Sequence, residues 1–214
     1  MNVSDTTERV LSDGGTRSAS TPSRRPRVLT WQGVDAPRLE SVRLLLSDNR
    51  LRASGRLVAA AHEDAEAHSA SFELSVNESR GVSRLLLRST TAEFERQISL
   101  SRSEDGIWLV DSGKGAERTD FDGALDLDVQ NTVLFNALPV HRLGLHHTAG
   151  EHDLPVVYVT LPDLSVRLLR QTYRTVSVGD QESVVNYTRG SVTEDITVDA
   201  DGLVLDYPGL SRRV

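Results

Sequence analysis

The chain contains no cysteine. Disulfides, thiolate metal sites and cysteine nucleophiles are excluded, and cysteine usage is silent on redox compartment. Its one lysine, Lys114, lies in the polar stretch Ser112–Thr119, which offers no apolar seat for lysine chemistry. Aromatic residues make up 5% of the chain, too few for a densely aromatic core. No apolar run reaches the roughly 18 residues a membrane helix needs. Neither a Gly-x-Ser-x-Gly elbow nor a phosphate-binding Gly-x-x-x-x-Gly-Lys-Ser/Thr loop is present. Residues 1–27 lack the apolar core of a secretory signal, which predicts a cytoplasmic protein.

With 38% hydrophobic and 26% charged residues, the 214-residue chain has the composition of a globular protein. Residues 1–26 are rich in Ser, Thr, Gly, Asp and Arg and show no hydrophobic period, which predicts a disordered tail. Residues 27–214 are then expected to form one domain. The net charge of −7 is unevenly spread, +2 over residues 1–27 and −9 over the remainder. An acidic body argues against nucleic acid as a partner, because phosphate neutralisation needs a basic surface.

From Val28 onward the apolar residues alternate with polar ones. Leu51, Ala53, Gly55, Leu57 and Ala59 share one side of an extended segment, and Gly55 in its middle signals a bulge or the close approach of another backbone. On Leu164–Ser177, Gln171 and Tyr173 fall opposite Leu168 and Arg170. Short polar connections separate such segments, with Asp-Gly hairpin signals at Asp105-Gly106 and Asp201-Gly202. About ten to twelve strands and no long helix follow. The predicted class is all-β, a curved antiparallel sheet forming an incomplete, half-open β-barrel. Asn131–Ala137 is the one segment with helical character, a short lid or plug that Pro139 is expected to end.

The least strand-like stretch, Phe121–Leu145, carries the polar candidates. Asp122, Asp126 and Asp128 would share one face of an extended strand. Such a row could hold a cation or serve a small hydrolase or isomerase, but its simpler role is a polar strand face paired with Arg142 or Arg170. His146, His147 and His152 crowd near Glu151 and Asp153 in a spacing that matches no zinc motif, so no metal and no cofactor are expected.

The pieces Leu125-Asp126-Leu127-Asp128, Asn136-Ala137-Leu138-Pro139-Val140-His141-Arg142-Leu143-Gly144-Leu145, Pro162-Asp163-Leu164, Gln171-Thr172-Tyr173 and Val198 to Leu210 occur in an order and spacing that resemble the bacterial putative glycolipid-binding family. Trp31 and Gly55-Arg56-Leu57-Val58 extend the resemblance toward the N-terminus. It implies a fold similar to the LolA and LolB type of lipoprotein carrier, an open barrel over an apolar cavity with a helical lid. It also implies a non-enzymatic protein that takes a lipid or glycolipid on the concave apolar face. The rim residues Asp126, Asp128, Asn136, His141 and Arg142 would then meet the headgroup. Phe135 stands where relatives often carry Thr, so no ligand contact is carried over to it. The rival expectation is a structural or interaction module, for which a homodimer through a sheet edge remains open.

Overall fold

The alternating segments become strands because each buries one side and exposes the other, as in β3, where the apolar positions from Leu51 to Leu57 are covered and the arginines between them are not. The structure, a computed structural model, describes residues 26–47, 50–78 and 81–214. The tail expected at 1–26 therefore lies, apart from Pro26, outside the described residues. Eight strands come first: β1 (Arg27–Gly33), β2 (Arg38–Ser47), β3 (Arg50–Ala59), β4 (His68–Val76), β5 (Val82–Thr90), β6 (Glu95–Arg102), β7 (Trp108–Asp111) and β8 (Ala116–Thr119). Seven follow: β9 (Asp126–Val129), β10 (Glu151–Val159), β11 (Val166–Ser177), β12 (Glu182–Arg189), β13 (Val192–Asp199), β14 (Val204–Tyr207) and β15 (Ser211–Arg213).

All fifteen belong to one curved sheet, ordered β8-β7-β6-β5-β4-β3-β2-β1-β15-β14-β13-β12-β11-β10-β9. Chain neighbours pair as antiparallel hairpins, and the first and last strands pair with each other in the middle of the sheet. The one parallel pair is β9 with β10, and a helical crossover joins them. The sheet is not closed into a barrel, since β8 and β9 are its two edges. Its ends nevertheless approach. The backbone N–H of Val82 donates to the Leu125 carbonyl (2.9 Å) and the indole Nε1 of Trp108 donates to the Ala124 carbonyl (3.0 Å).

The helical crossover is the plug. A 3₁₀ turn at Leu134–Asn136 leads into the one α-helix among the described residues, α1 (Ala137–Leu143). The helix thus runs later than Asn131–Ala137 and passes through Pro139 instead of ending there. Pro139 sits in the first helical turn, where the backbone N–H groups have no acceptor within the helix, so a missing donor costs nothing. Gly144 ends α1 in the left-handed conformation (φ 69°). Val133, Leu134, Phe135, Ala137, Leu138 and Val140 are all buried in the interior of the curved sheet. The ring of Phe135 packs on Phe72, with centroids 5.1 Å apart. The concave side is therefore filled by the protein's own plug.

Phe72 also explains Gly55. A Cβ on Gly55 would stand 2.2 Å from the Phe72 ring, so the close neighbour is a cross-strand side chain and not a second backbone, and no bulge occurs there. Two strands escaped the reading of the sequence. β8 and β15 are short and polar, and both are recruited by pairing with a neighbour.

Candidate functional site

The strand β9 is buried on both sides: Leu127 and Val129 belong to the hydrophobic core, while Asp126 and Asp128 are enclosed with polar partners from α1 and β11. Parallel pairing sets Asp126 beside Val156 and Asp128 beside Tyr158. Antiparallel pairing then sets Tyr158 beside Arg167, and Tyr173 beside Tyr187. Inward positions of several strands thus converge on the two aspartates.

A hydrogen-bonded relay joins the plug to β9. Asn136 Nδ2 donates to the Tyr173 hydroxyl (3.1 Å), which donates to Gln171 Oε1 (3.0 Å). Gln171 Nε2 in turn donates to Asp128 Oδ2 (2.6 Å). All four tyrosines of the chain gather here. Tyr173 packs on Tyr187 with centroids 5.2 Å apart, and Tyr187 packs on Tyr207 at 5.8 Å. The guanidinium groups of Arg189 and Arg167 lie over the Tyr158 ring at 4.7 and 5.3 Å.

Two further polar ties hold the plug. Arg142, in the last turn of α1, donates from Nη2 to Asp126 Oδ2 (2.5 Å) and from Nε to both carboxylate oxygens (3.2 Å). Glu40 reaches in from β2 and accepts the backbone N–H of Val133 (2.7 Å) and of Leu134 (3.4 Å). These are donors at the start of a helical turn, left without internal partners, and a carboxylate satisfies them with charge as well as geometry.

Burial dominates the electrostatics. It pushes the Glu40 carboxyl up to about 7 against the pull of the Val133 and Leu134 N–H groups and Arg38, and the charge of Asp128 adds to the rise. Burial likewise pushes Asp128 up to about 6 against the Gln171 hydrogen bond and Arg189. Asp126 is raised by burial, which outweighs Arg142. Burial and the nearby carboxylates raise Tyr173, and burial with Asp128 raises Tyr187 and Tyr207, so these phenols stay protonated and act as neutral donors.

Of the residues singled out from the sequence, Asp126, Asp128, Asn136 and Arg142 come together. His141 is placed elsewhere, in a stack with His146 (centroids 6.0 Å apart), whose ring in turn lies 3.8 Å from His147. The three-acid row does not form. Asp122 sits in a tight 3₁₀ turn with φ 56° and pairs with Arg170 (3.5 Å), and β9 begins only at Asp126. The partners expected for the acids, Arg142 and Arg170, are the ones found. Glu40, Arg189 and the tyrosines join the site without having been singled out by the sequence pattern. For Glu40 the signal was available, because it alternates in phase with Val42 and Leu44 and so had to face inward. Among the described residues no group of three His, Asp or Glu side chains could hold a metal ion. No helix among them is long and apolar enough to cross a membrane.

A curved open sheet with a helical plug, tied down over a buried cluster of tyrosines and carboxylates, defines the class of protein. The chain belongs to the putative glycolipid-binding family, whose model matches residues 28–213. It is similar to the crystal structure of a DUF1089 family protein from Pseudomonas aeruginosa, with 25% sequence identity and a TM-score of 0.65. That match covers 82% of this chain and 92% of the other. A comparison with curated proteins gives no match.

Proposed function

We propose that the protein binds a glycolipid and performs no reaction on it. The sugar headgroup is taken at the tyrosine–carboxylate cluster, and the acyl portion occupies the concave interior once the plug, residues 133–140, swings aside. The observation that carries this reading is the convergence of all four tyrosines with Asp128, Gln171 and Asn136 on one cluster, tied through Asn136 to an apolar plug. Sugar hydroxyls need paired donors and acceptors, which carboxylates, amides and phenols supply, and their C–H faces suit aromatic rings. An acyl chain needs aliphatic walls, at about 0.8 kcal/mol for each CH₂ buried.

In this reading Asp126, Asp128 and Arg142 meet the headgroup, Asn136 yields its place on Tyr173 to it, and His141 stands at the rim. The plug's own contacts hold the place of the ligand: sugar hydroxyls replace Asn136 on Tyr173, and the acyl chain replaces Phe135 on Phe72. The family supports a binding role, and the polar groups of the cluster fit one without turnover. Asp126 is engaged by Arg142, Glu40 by the plug backbone, and Asp128 by Gln171, so no carboxylate is poised against a nucleophile. A plug that opens and recloses would also suit a carrier of the LolA or LolB type.

Native mass spectrometry after incubation with vesicles of a diacyl glucosylglycerol tests the proposal. The expected result is a complex of one protein with one glycolipid, lost in Gln171→Leu and Tyr187→Leu. Protein that acquires no glycolipid, or that gains the same adduct in both variants, overturns it. Release of free sugar would replace binding with hydrolysis.

A further inference from the structure

The outer face of the first half-sheet is basic although the chain as a whole carries −7. Strands β2 to β5 turn Arg43, Arg50, Arg52, Arg56, Arg84 and Arg88 outward, and all six are exposed. The one acid at an outward strand position among them is Glu73; Glu78, in the turn after β4, pairs with Arg50. Among the described residues, Arg43, Arg52, Arg56 and Arg84 have no acidic partner. Register sets these side chains in cross-strand rows, Arg56–Ser71–Arg88 and, four residues along β3, Arg52–Ser75–Arg84. The two arginines of a row stand two strand spacings apart, about 10 Å. Between Arg56 and Arg88 lies a depression of about 220 Å³, lined also by Ser54, Ser71, Glu73 and Leu86.

The same face carries exposed apolar groups. Leu39 and Val58 are cross-strand partners, 46% and 58% exposed. Val28, 69% exposed, lies opposite Arg43. None of the outward positions of β2 to β5 is aromatic, so the face lacks the stacking platforms that single-stranded nucleic acid uses. Guanidinium groups engage phosphate oxygens in bidentate fashion, and serines beside them add hydroxyl donors. Aliphatic side chains at the border favour the interfacial zone of a bilayer over water.

We propose that the convex face of β2–β5 docks the protein on an anionic phospholipid bilayer. Arginines of the two rows contact headgroup phosphates, and Leu39 and Val58 enter the interface. The acidic remainder of the molecule is repelled and faces away, which fixes one orientation. This docking surface is separate from the concave cluster and does not rest on the glycolipid reading.

Co-sedimentation of the full chain with vesicles tests it, using equal parts phosphatidylglycerol and phosphatidylcholine against phosphatidylcholine alone. Binding is expected to the anionic vesicles only and to weaken as salt rises. Each arginine removed should weaken it roughly fivefold, so Arg52→Thr/Arg56→Thr/Arg88→Thr should lose about a hundredfold. A control of equal charge change away from this face, Arg96→Thr/Arg170→Thr/Arg174→Thr, should retain binding, and Leu39→Ser/Val58→Ser should lose part of it. The proposal is overturned by absence of binding, by equal loss in patch and control variants, or by loss that follows Arg24→Ser/Arg25→Ser instead. Tighter binding to duplex DNA than to the vesicles, sensitive to the same triple substitution, would reassign the surface to nucleic acid.

Discussion

Replacing Glu40 with glutamine should flatten much of the protein's pH dependence of stability. The carboxyl is fully enclosed, and burial raises it from the ordinary 4.5 to about 7. The folded state therefore holds this proton more tightly than the unfolded chain. Its contribution is complete below pH 4.5, is lost progressively as the pH rises, and is gone above about 7. At about 1.36 kcal/mol for each pH unit, the loss amounts to about 3 kcal/mol. Glutamine resembles the protonated acid in shape and charge and cannot ionise. The free-energy difference between Glu40→Gln and the parent should thus move by about 3 kcal/mol in favour of the variant between pH 4.5 and 7, whatever constant offset the amide introduces. Urea unfolding followed by tryptophan fluorescence is the natural assay, since Trp31, in β1 at the middle of the sheet, and Trp108, in β7 near its edge, are both fully buried. The difference between the two proteins cancels the titration of Asp126 and His146, which do not interact with Glu40, while that of its neighbour Asp128 remains in it. A difference independent of pH, or one that favours the parent as pH rises, would refute the assignment of Glu40 as a buried carboxylate held by the plug backbone.

Removal of Arg142 leaves Asp126 charged and enclosed, so Arg142→Met should cost about 3–5 kcal/mol, and Asp126→Leu added to it should restore much of the loss in the same urea assay. Gly55→Ala drives a methyl into the Phe72 ring and should destabilise by about 1–3 kcal/mol, with Phe72→Leu as a partial suppressor measured by thermal unfolding. Phe135→Ala empties the centre of the plug and should cost about 3–5 kcal/mol, read by calorimetry. In an Asp128→Asn background the carboxyl of Glu40 loses a repelling neighbour, so the pH-dependent gain from Glu40→Gln should shrink.

The alternation of β2, β3, β4, β12 and β13 was readable because each of these strands has one covered and one open side. The same logic puts Gln171 and Tyr173 opposite Leu168 and Arg170, and the structure shows that the former pair is the buried one. It failed where both sides are covered: β9 buries Asp126 and Asp128 as fully as Leu127 and Val129, so alternation there does not mean half exposure. Pro139 misled because the rule against helix before proline holds for helix interiors and not for first turns. Phe121–Leu145 was recognisable as the irregular part, and Arg142 as the partner of an aspartate. The rest of the site was hidden because it is assembled from strands far apart in sequence. Glu40 meets Val133 across 93 residues, and Gln171 meets Asp128 across 43.

The pairing of β1 with β15 carries a consequence for how the chain reaches this state. Read along the sheet from β9, the strands run in numerical order to β15, then resume at β1 and end at β8. The architecture is a simple meander whose ends have been moved to its centre. Every local hairpin can form early, but the joint between the halves waits for Ser211–Arg213. A nascent or refolding chain therefore presents β1 as an unpaired edge while most of the sheet is already laid down. The step of longest sequence separation is also the one that seals the middle, which predicts slow final closure for a protein built almost wholly of short-range pairings. A permuted chain that starts at β9 would remove that wait without altering a single contact within the sheet.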